Sequence, residues 1–226
     1  MIQKPSATNK TPSPPPAPSR SARNHGFTLI EIIVILAVLA ILVATLSPMV
    51  LKYIADAQLS RAKSDVTTIQ ATINDLIRDT GQYPGDKADA NFLCGPGAIA
   101  SMDTAVTGWA TALVGAAATS CTLTGNTAPA GSSLAGHLIV NDPNESGTTT
   151  SADYKTTGSF RWKGPYAQSL NEDPWGNAYQ INSSTLKGSD TNPTWILSAG
   201  PDGKFQTSAS STSLASGSDD IGIRIK

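Results

Sequence analysis

HGFTLIEIIVILAVLAILVATLSPMVL, residues His25 to Leu51, is the stretch whose reading decides the fold. Between Ile32 and Leu51 only Thr45, Ser47 and Pro48 are not apolar. As a helix this run spans roughly 30 Å, the hydrocarbon thickness of a bilayer. Glu31 sits at its mouth, where a carboxylate in lipid costs roughly 2.5 kcal/mol or more near a helix centre and less near an end. A charge kept at that position calls for a partner.

On the N-terminal side, residues 1–25 are polar and carry Pro12, Pro14, Pro15, Pro16 and Pro18 in a cluster. Such a segment buries too little apolar surface to fold alone and reads as disordered. Residues 1–26 hold Lys4, Lys10, Arg20 and Arg23 and no acid, leaving 12 basic and 17 acidic side chains in 27–226, a net charge of −5. Positive charge ahead of an apolar helix places the N-terminus in the cytoplasm and the bulk of the chain outside. No basic patch points to nucleic acid.

On the C-terminal side the helical pattern continues. Ile54, Ala57, Ala62, Val66, Ile69, Ile73, Leu76 and Ile77 recur mostly every three or four residues, with Asp56, Arg61, Lys63, Asp65, Asn74, Asp75 and Arg78 between them. This is an amphipathic helix with one face able to bury. Asp79-Thr80-Gly81 ends it with a glycine suited to a left-handed cap. One helix over about 28–80 is therefore expected. Pro48 lies inside it, removing a hydrogen bond and loosening the preceding turn. Two readings are open there, a kink tolerated at the membrane edge and a place where the helix melts.

Residues 84–160 are rich in Ala, Gly, Ser and Thr and are the least legible. Tyr83-Pro84-Gly85-Asp86 reads as a turn, Trp109 to Val114 as a short helix, and His137 to Val140 as a short strand. Cys94 and Cys121, both on the exported side, are most simply a disulfide, worth roughly 3 kcal/mol in the chain-entropy model; two free buried thiols are the alternative. With His25 and His137 the only histidines, a metal site built on them is not expected. Asn144-Glu145-Ser146 and Asn182-Ser183-Ser184 fit the glycosylation sequon, a weak signal.

The last third alternates better. Ala178–Asn182, Thr194–Ser198 and Ile221–Ile225 are rich in β-branched and aromatic residues, each bounded by Gly, Pro, Asn or Asp, and read as strands. A small antiparallel sheet laid on the amphipathic half of the helix would bury both apolar faces. The expectation is an α+β fold.

Gly26-Phe27-Thr28-Leu29-Ile30-Glu31 and the apolar run behind it resemble the processing signal of type IV pilins and type II secretion pseudopilins. The resemblance implies a membrane peptidase that cuts between Gly26 and Phe27, N-methylation of Phe27, and assembly that depends on Glu31, with Pro48 as the site of helix loosening. Further on, Gly164-Pro165-Tyr166 and Asp173-Pro174-Trp175-Gly176-Asn177-Ala178-Tyr179 are similar to the segment before the first sheet strand of the type II secretion major pseudopilin. Asp-Pro-Trp-Gly-Asn is by itself a tight turn with a large aromatic to anchor it on the helix. Leu197–Lys204 and Asp219-Asp220-Ile221-Gly222 are similar to the two ends of that family's C-terminal calcium loop. The likeness covers about 26–83 and 162–226 and departs from the family in the middle.

Calcium takes six to eight oxygen ligands, mixing carboxylates with carbonyls on a flexible loop. Carried over, the pattern makes Asp202 and Asp220 the first candidates and Asp219 a substitute, with Leu197 and Ser198 adding neutral oxygens. The plain alternative is a Pro-Asp-Gly turn with solvated acids.

These readings divide the chain into a cleaved cytoplasmic leader (1–26), a membrane and filament-core helix (27–51), the amphipathic half of that helix (52–81), a loop-rich insertion (82–161) and the sheet with its acidic loop (162–226). The expected role is a structural subunit of a periplasmic pseudopilus in type II secretion, not an enzyme. Its partners would be copies of itself, the prepilin peptidase, an inner-membrane assembly platform and minor pseudopilins. A type IV pilus subunit for adhesion, motility or DNA uptake shares every N-terminal residue. A membrane-tethered binding module, using Trp109, Trp162 or Tyr154, is a third reading. A hydrolase is disfavoured, because no Gly-x-Ser-x-Gly elbow occurs and His137 has no obvious nucleophile beside it.

Overall fold

The computed structural model describes residues 26–87, 92–103, 106 and 132–226. The chain divides into two units, 1–49 and 50–226. Helix α1, Leu29–Thr80, runs through that boundary and stays helical through Pro48.

In the first unit α1 has no cover. Between Phe27 and Arg61 no residue is buried, and the same holds on across the boundary up to Ala62. The apolar part of α1 is long and hydrophobic enough to cross a membrane, with none of that window buried.

In the second unit α1 acquires one buried stripe, Ala62, Val66, Ile69, Ile73, Leu76 and Thr80. The spacing alternates four and three, which keeps every member on one face of a 3.6-residue helix. Ile54 and Ala57, expected on that face, are exposed, and the buried stripe begins at Ala62. α1 ends as the sequence implied. Gly81 has φ +68 and its N–H bonds to the Ile77 carbonyl at 2.8 Å, a left-handed terminus. A four-residue helix α2, Pro84–Lys87, follows.

Six strands complete the unit: β1 Phe92–Cys94, β2 Ser101–Met102, β3 Gln180–Asn182, β4 Trp195–Ser198, β5 Lys204–Phe205 and β6 Ile221–Arg224. The main sheet is antiparallel in the order β1-β3-β4-β6, and β2 with β5 forms a separate parallel pair. All three expected strands are present, each slightly shorter than its apolar pattern. The core against α1 joins Val66, Ile69, Ile73 and Leu76 to Leu93, Tyr179, Ile181 and Ile196. The opposite face is covered too, with Trp195 and Leu197 packed against Ala100, Phe205 and Ala209. Burial on both faces explains why β1, β3 and β4 are buried at every position instead of alternating. The strands β4 and β6 approach closely at Gly222, where a Cβ would run into the Leu197 side chain and the Ile196 carbonyl.

Two expectations for the middle of the chain are corrected. The sheet does not come from 162–226 alone, since β1 belongs to the stretch read as an insertion and pairs in register with β3 (Leu93 with Ile181). Phe92-Leu93-Cys94 is too short to show alternation, so its pattern carried no strand signal. Nor is 137–140 a strand. Gly136–Val140 is a π-helical turn closed by Asn141 in the left-handed region (φ 55). It is held from outside, because the Leu138 carbonyl accepts the Tyr166 N–H at 2.8 Å and the Asn141 amide exchanges two bonds with the Tyr154 backbone. A run of three apolar residues, Leu138 to Val140, does not distinguish a buried turn from a strand. The expected helix over Trp109–Val114 lies outside the described residues. So does Cys121, the expected partner of Cys94, which is itself fully buried in β1.

His137 is fully buried, with Nδ1 2.7 Å from the Tyr154 hydroxyl and Nε2 without a partner. Burial lowers its pKa from 6.5 to about 3 and raises that of Tyr154. An unfolded chain therefore binds a proton between those values that the folded chain refuses. The stabilisation is complete above pH 6.5 and is lost as pH falls towards 3, with a limit on the order of 5 kcal/mol. Asp220, whose carboxyl is raised by burial, acts in the opposite sense. We expect the urea midpoint to fall steadily from pH 7 to pH 4.5, and the fall to flatten in His137→Gln. An equal slope in both proteins would show that His137 is not the group responsible.

Candidate functional site

Gly26 and Phe27 precede α1 and are open to solvent; Phe27 is 75% exposed, and nothing lies within 4 Å of where a Cβ on Gly26 would be. Thr28 caps the helix. The Glu31 N–H lies 3.3 Å from the Thr28 hydroxyl, and a Glu31 carboxylate oxygen lies 3.5 Å from the Thr28 N–H. This reciprocal pair is a capping box, whose signal, Thr-x-x-Glu ahead of an apolar run, stands in the sequence and was not read. It shows that the Glu31 side chain turns back towards the N-terminus. The Glu31 carboxylate thus has a partner within its own chain at the Thr28 N–H.

The turn Asp173–Asn177 joins the sheet to α1. Asp173, buried, accepts the Trp175 and Asn177 N–H groups on Oδ1 at 3.0 and 2.8 Å and the Ser198 hydroxyl on Oδ2 at 2.6 Å. Gly176, at φ +89, supplies the left-handed residue that the turn requires. Two contacts then tie the turn to the helix. The Tyr179 hydroxyl donates to Asp65 at 2.9 Å, and Arg61 donates to the Glu172 carbonyl at 3.1 Å. Trp175, expected to anchor the turn, is only half-buried and instead lines a groove beside α1. The anchor is polar: a carboxylate that accepts two backbone bonds is a stronger constraint than a partly exposed ring.

The acidic residues at the C-terminus do converge, through the loop they flank. Asp219 accepts the Asp202 N–H at 3.0 Å, and Gly200 (φ +67) lies so close to Asp219 that a Cβ would strike its carbonyl. Asp202 accepts the Lys204 N–H and the Gln206 side-chain amide, at 2.8 and 2.6 Å. Asp220, buried, accepts the Gln206 and Thr207 N–H groups on Oδ2 at 3.0 and 2.6 Å, while its Oδ1 is buried without a partner. Burial raises the Asp220 pKa against the pull of these hydrogen bonds. Of the neutral oxygens expected here, Ser198 Oγ is already engaged, donating to Asp173 and accepting from Gly200 at 3.2 Å. Leu197 lies in β4, paired with β3 on one side and β6 on the other. Among the described residues no group of three or more His, Cys, Asp or Glu is gathered as a metal cage.

The aromatics considered for a binding surface have structural duties. Tyr154 is buried in the core, and Trp162 packs edge-on to Tyr166 while donating to the His137 carbonyl at 3.3 Å; Trp109 lies outside the described residues. The sequon residue Asn182 is buried in β3 and accepts the Ser184 N–H at 3.0 Å.

Residues 21–47 match the prokaryotic N-terminal methylation motif, a sequence that heads an exposed apolar helix here. Residues 142–216 match type II secretion system protein G, beginning some way before the region where the sequence resemblance was placed. No curated protein and no solved structure matches the chain. The fold and the first match define a pilin-like protein carrying an N-terminal methylation motif. With the second, the two matches support a major pseudopilin of type II secretion, the protein G kind.

Removing the Asp173 carboxylate leaves three donors in and around the turn without acceptors. Asp173→Ala should cost about 3 kcal/mol and Ser198→Ala about 1 kcal/mol, read as shifts in urea midpoint. Midpoints unchanged in Asp173→Ala would remove the turn from its anchoring role.

Proposed function

We propose that this chain is the structural subunit of a pseudopilus, a filament that drives protein export in type II secretion, with no catalytic activity of its own. It enters the inner membrane with residues 1–26 in the cytoplasm and the C-terminal unit in the periplasm. A prepilin peptidase cuts after Gly26, Phe27 is N-methylated, and copies assemble with minor pseudopilins on an inner-membrane platform. The observation that carries this reading is the uncovered apolar surface from Phe27 to Ile54 with a single carboxylate near its start. In a bilayer, lipid covers that surface; in a filament, the same surface of other copies covers it.

Within such a bundle each Phe27 amine is a positive charge among apolar side chains, and an unpaired one is costly. Glu31 supplies the compensating carboxylate. Pairing with the amine of a neighbouring copy fixes the axial register of one helix against the next. In the membrane-bound form the capping box gives the same carboxylate a local partner at the Thr28 N–H. Pro48 is the place where α1 can loosen as the subunit leaves the bilayer.

Calcium belongs to the same proposal. One observation supports the ion, the partnerless buried oxygen of Asp220 beside a loop gripped by Asp202 and Asp219. Asp202, Asp219 and Asp220 would hold it, while the Leu197 carbonyl and Ser198, expected as neutral oxygens, keep their present strand and turn partners. The ion would supply a divalent charge that offsets the burial of Asp220. Meanwhile the existing bonds from these acids to Gln206 and Thr207 keep the loop folded.

Two measurements check these readings. Cells making Glu31→Ala should process the precursor normally, as read by the mobility of the mature band, and show no filaments by electron microscopy. Wild-type filament numbers from that variant would refute the role given to Glu31. Calcium should slow proteolysis within 202–220 of the purified chain, an effect absent in Asp220→Ala. The same digestion rate in calcium and in chelator would end the calcium proposal.

A further inference from the structure

Within residues 50–226 a groove of about 870 Å³ opens between α1 and β6. Its apolar lining includes Leu59, Val66, Trp175, Leu214 and Ile223. Its charged lining is Asp56, Asp219 and Asp220 against the single cation Lys63. The groove is therefore apolar, and with Asp219 and Asp220 committed to their own loop, Asp56 is the carboxylate it offers to a partner. A cleft of this size takes a large side chain together with its neighbour.

The same unit presents a matching projection. Among the described residues C-terminal to α1, Phe160 is the most exposed large apolar side chain, at 67%. Its ring rests on Gly81, where an added Cβ would lie 3.4 Å from it. Arg161 stands next to it, its backbone N–H bonded to the Asp79 carbonyl at 2.9 Å and its guanidinium to the Gly158 carbonyl at 2.9 Å. Arg161, like Arg224 and most of the described lysines, has no carboxylate partner within its own chain among the described residues. A ring in water beside a cation is the complement of an apolar groove with an open carboxylate at Asp56.

We propose that Phe160 and Arg161 of one copy seat in this groove on the next copy, with Phe160 against the apolar lining and Arg161 against Asp56. Gly81, under Phe160, lies beyond the end of α1, about 30 Å along the axis from Leu59 in the groove. Knob and groove thus sit at different ends of one folded unit and cannot satisfy each other within a single chain. A contact between two different patches is heterologous, and repeating it gives an open-ended stack when its rotation does not close into a ring. The inference rests on the filament reading above and adds the contact between folded units, separate from the packing of the apolar helices.

Disulfide trapping in cells producing the full chain tests it. Lys63→Cys and Ser159→Cys replace exposed residues, one in the groove and one beside the knob. A chain carrying both should give a ladder of multimers on a non-reducing gel, a mixture of the two single variants only dimers, and each single variant alone none. In parallel, Arg161→Glu should lower filament yield about tenfold, and Asp56→Arg in the same chain should restore it. Filaments present without a ladder, or unaffected by Arg161→Glu, would overturn the contact and leave the filament standing. Wild-type cells without filaments would overturn both.

Discussion

The structure depends on one change of surroundings along a single helix. Up to Arg61 the apolar side chains of α1 have no protein cover, and from Ala62 onward one stripe of them is closed under the sheet. The first half is held by nothing in the described residues, so its stability has to come from lipid or from other helices. The second half is a conventional amphipathic helix whose stripe, Val66, Ile69, Ile73 and Leu76, is the floor of the core. One element therefore carries two kinds of burial, one within the chain and one that only another environment provides. That asymmetry is the physical basis for reading the molecule as a subunit.

The sheet reaches the helix through polar fastenings as well as packing. Asp173 binds the turn and Ser198 of β4 in one carboxylate, while the next segment is tied to Asp65 and Arg61 through Tyr179 and Glu172. At the far end, Lys163 and the Tyr166 hydroxyl both meet Asp79, in the last turn of α1. These bonds hold the sheet in place along the buried stripe, whereas hydrophobic burial alone is non-directional and specifies area, not register.

Legibility in the sequence followed the length and regularity of each signal. The helix, its glycine terminus and three strands were readable because periodicity repeats over several residues. The edge strand Phe92–Cys94 and the parallel pair at Ser101–Met102 and Lys204–Phe205 are two or three residues long, and no pattern can repeat in so short a space. The π-helical turn at 136–140 misled because its apolar run is stabilised by distant partners, Tyr154, Trp162 and Tyr166. At the head of α1, Gly26, Phe27 and Glu31 stand out in the sequence by type and spacing, whereas the bond of Glu31 to Thr28 is a local contact that its charge ahead of an apolar run does not by itself announce. The acids Asp202, Asp219 and Asp220 flank one loop and bond to it. Sequence could not reveal that their first bonds are to that loop's own amides.

The strand order has a consequence for how the chain comes into being. The stripe on α1 is synthesised early, but Ile181 and Ile196, which cover it, follow roughly a hundred residues later, and β6 closes beside β4 only at the end. Pairings so distant in sequence form slowly and leave apolar surface bare in the meantime. A chain delivered from its N-terminus thus has its membrane-ready helix before it has any folded unit. During that interval the naked stripe of one copy is open to the strands of another, and the interval is when a mispaired dimer would form.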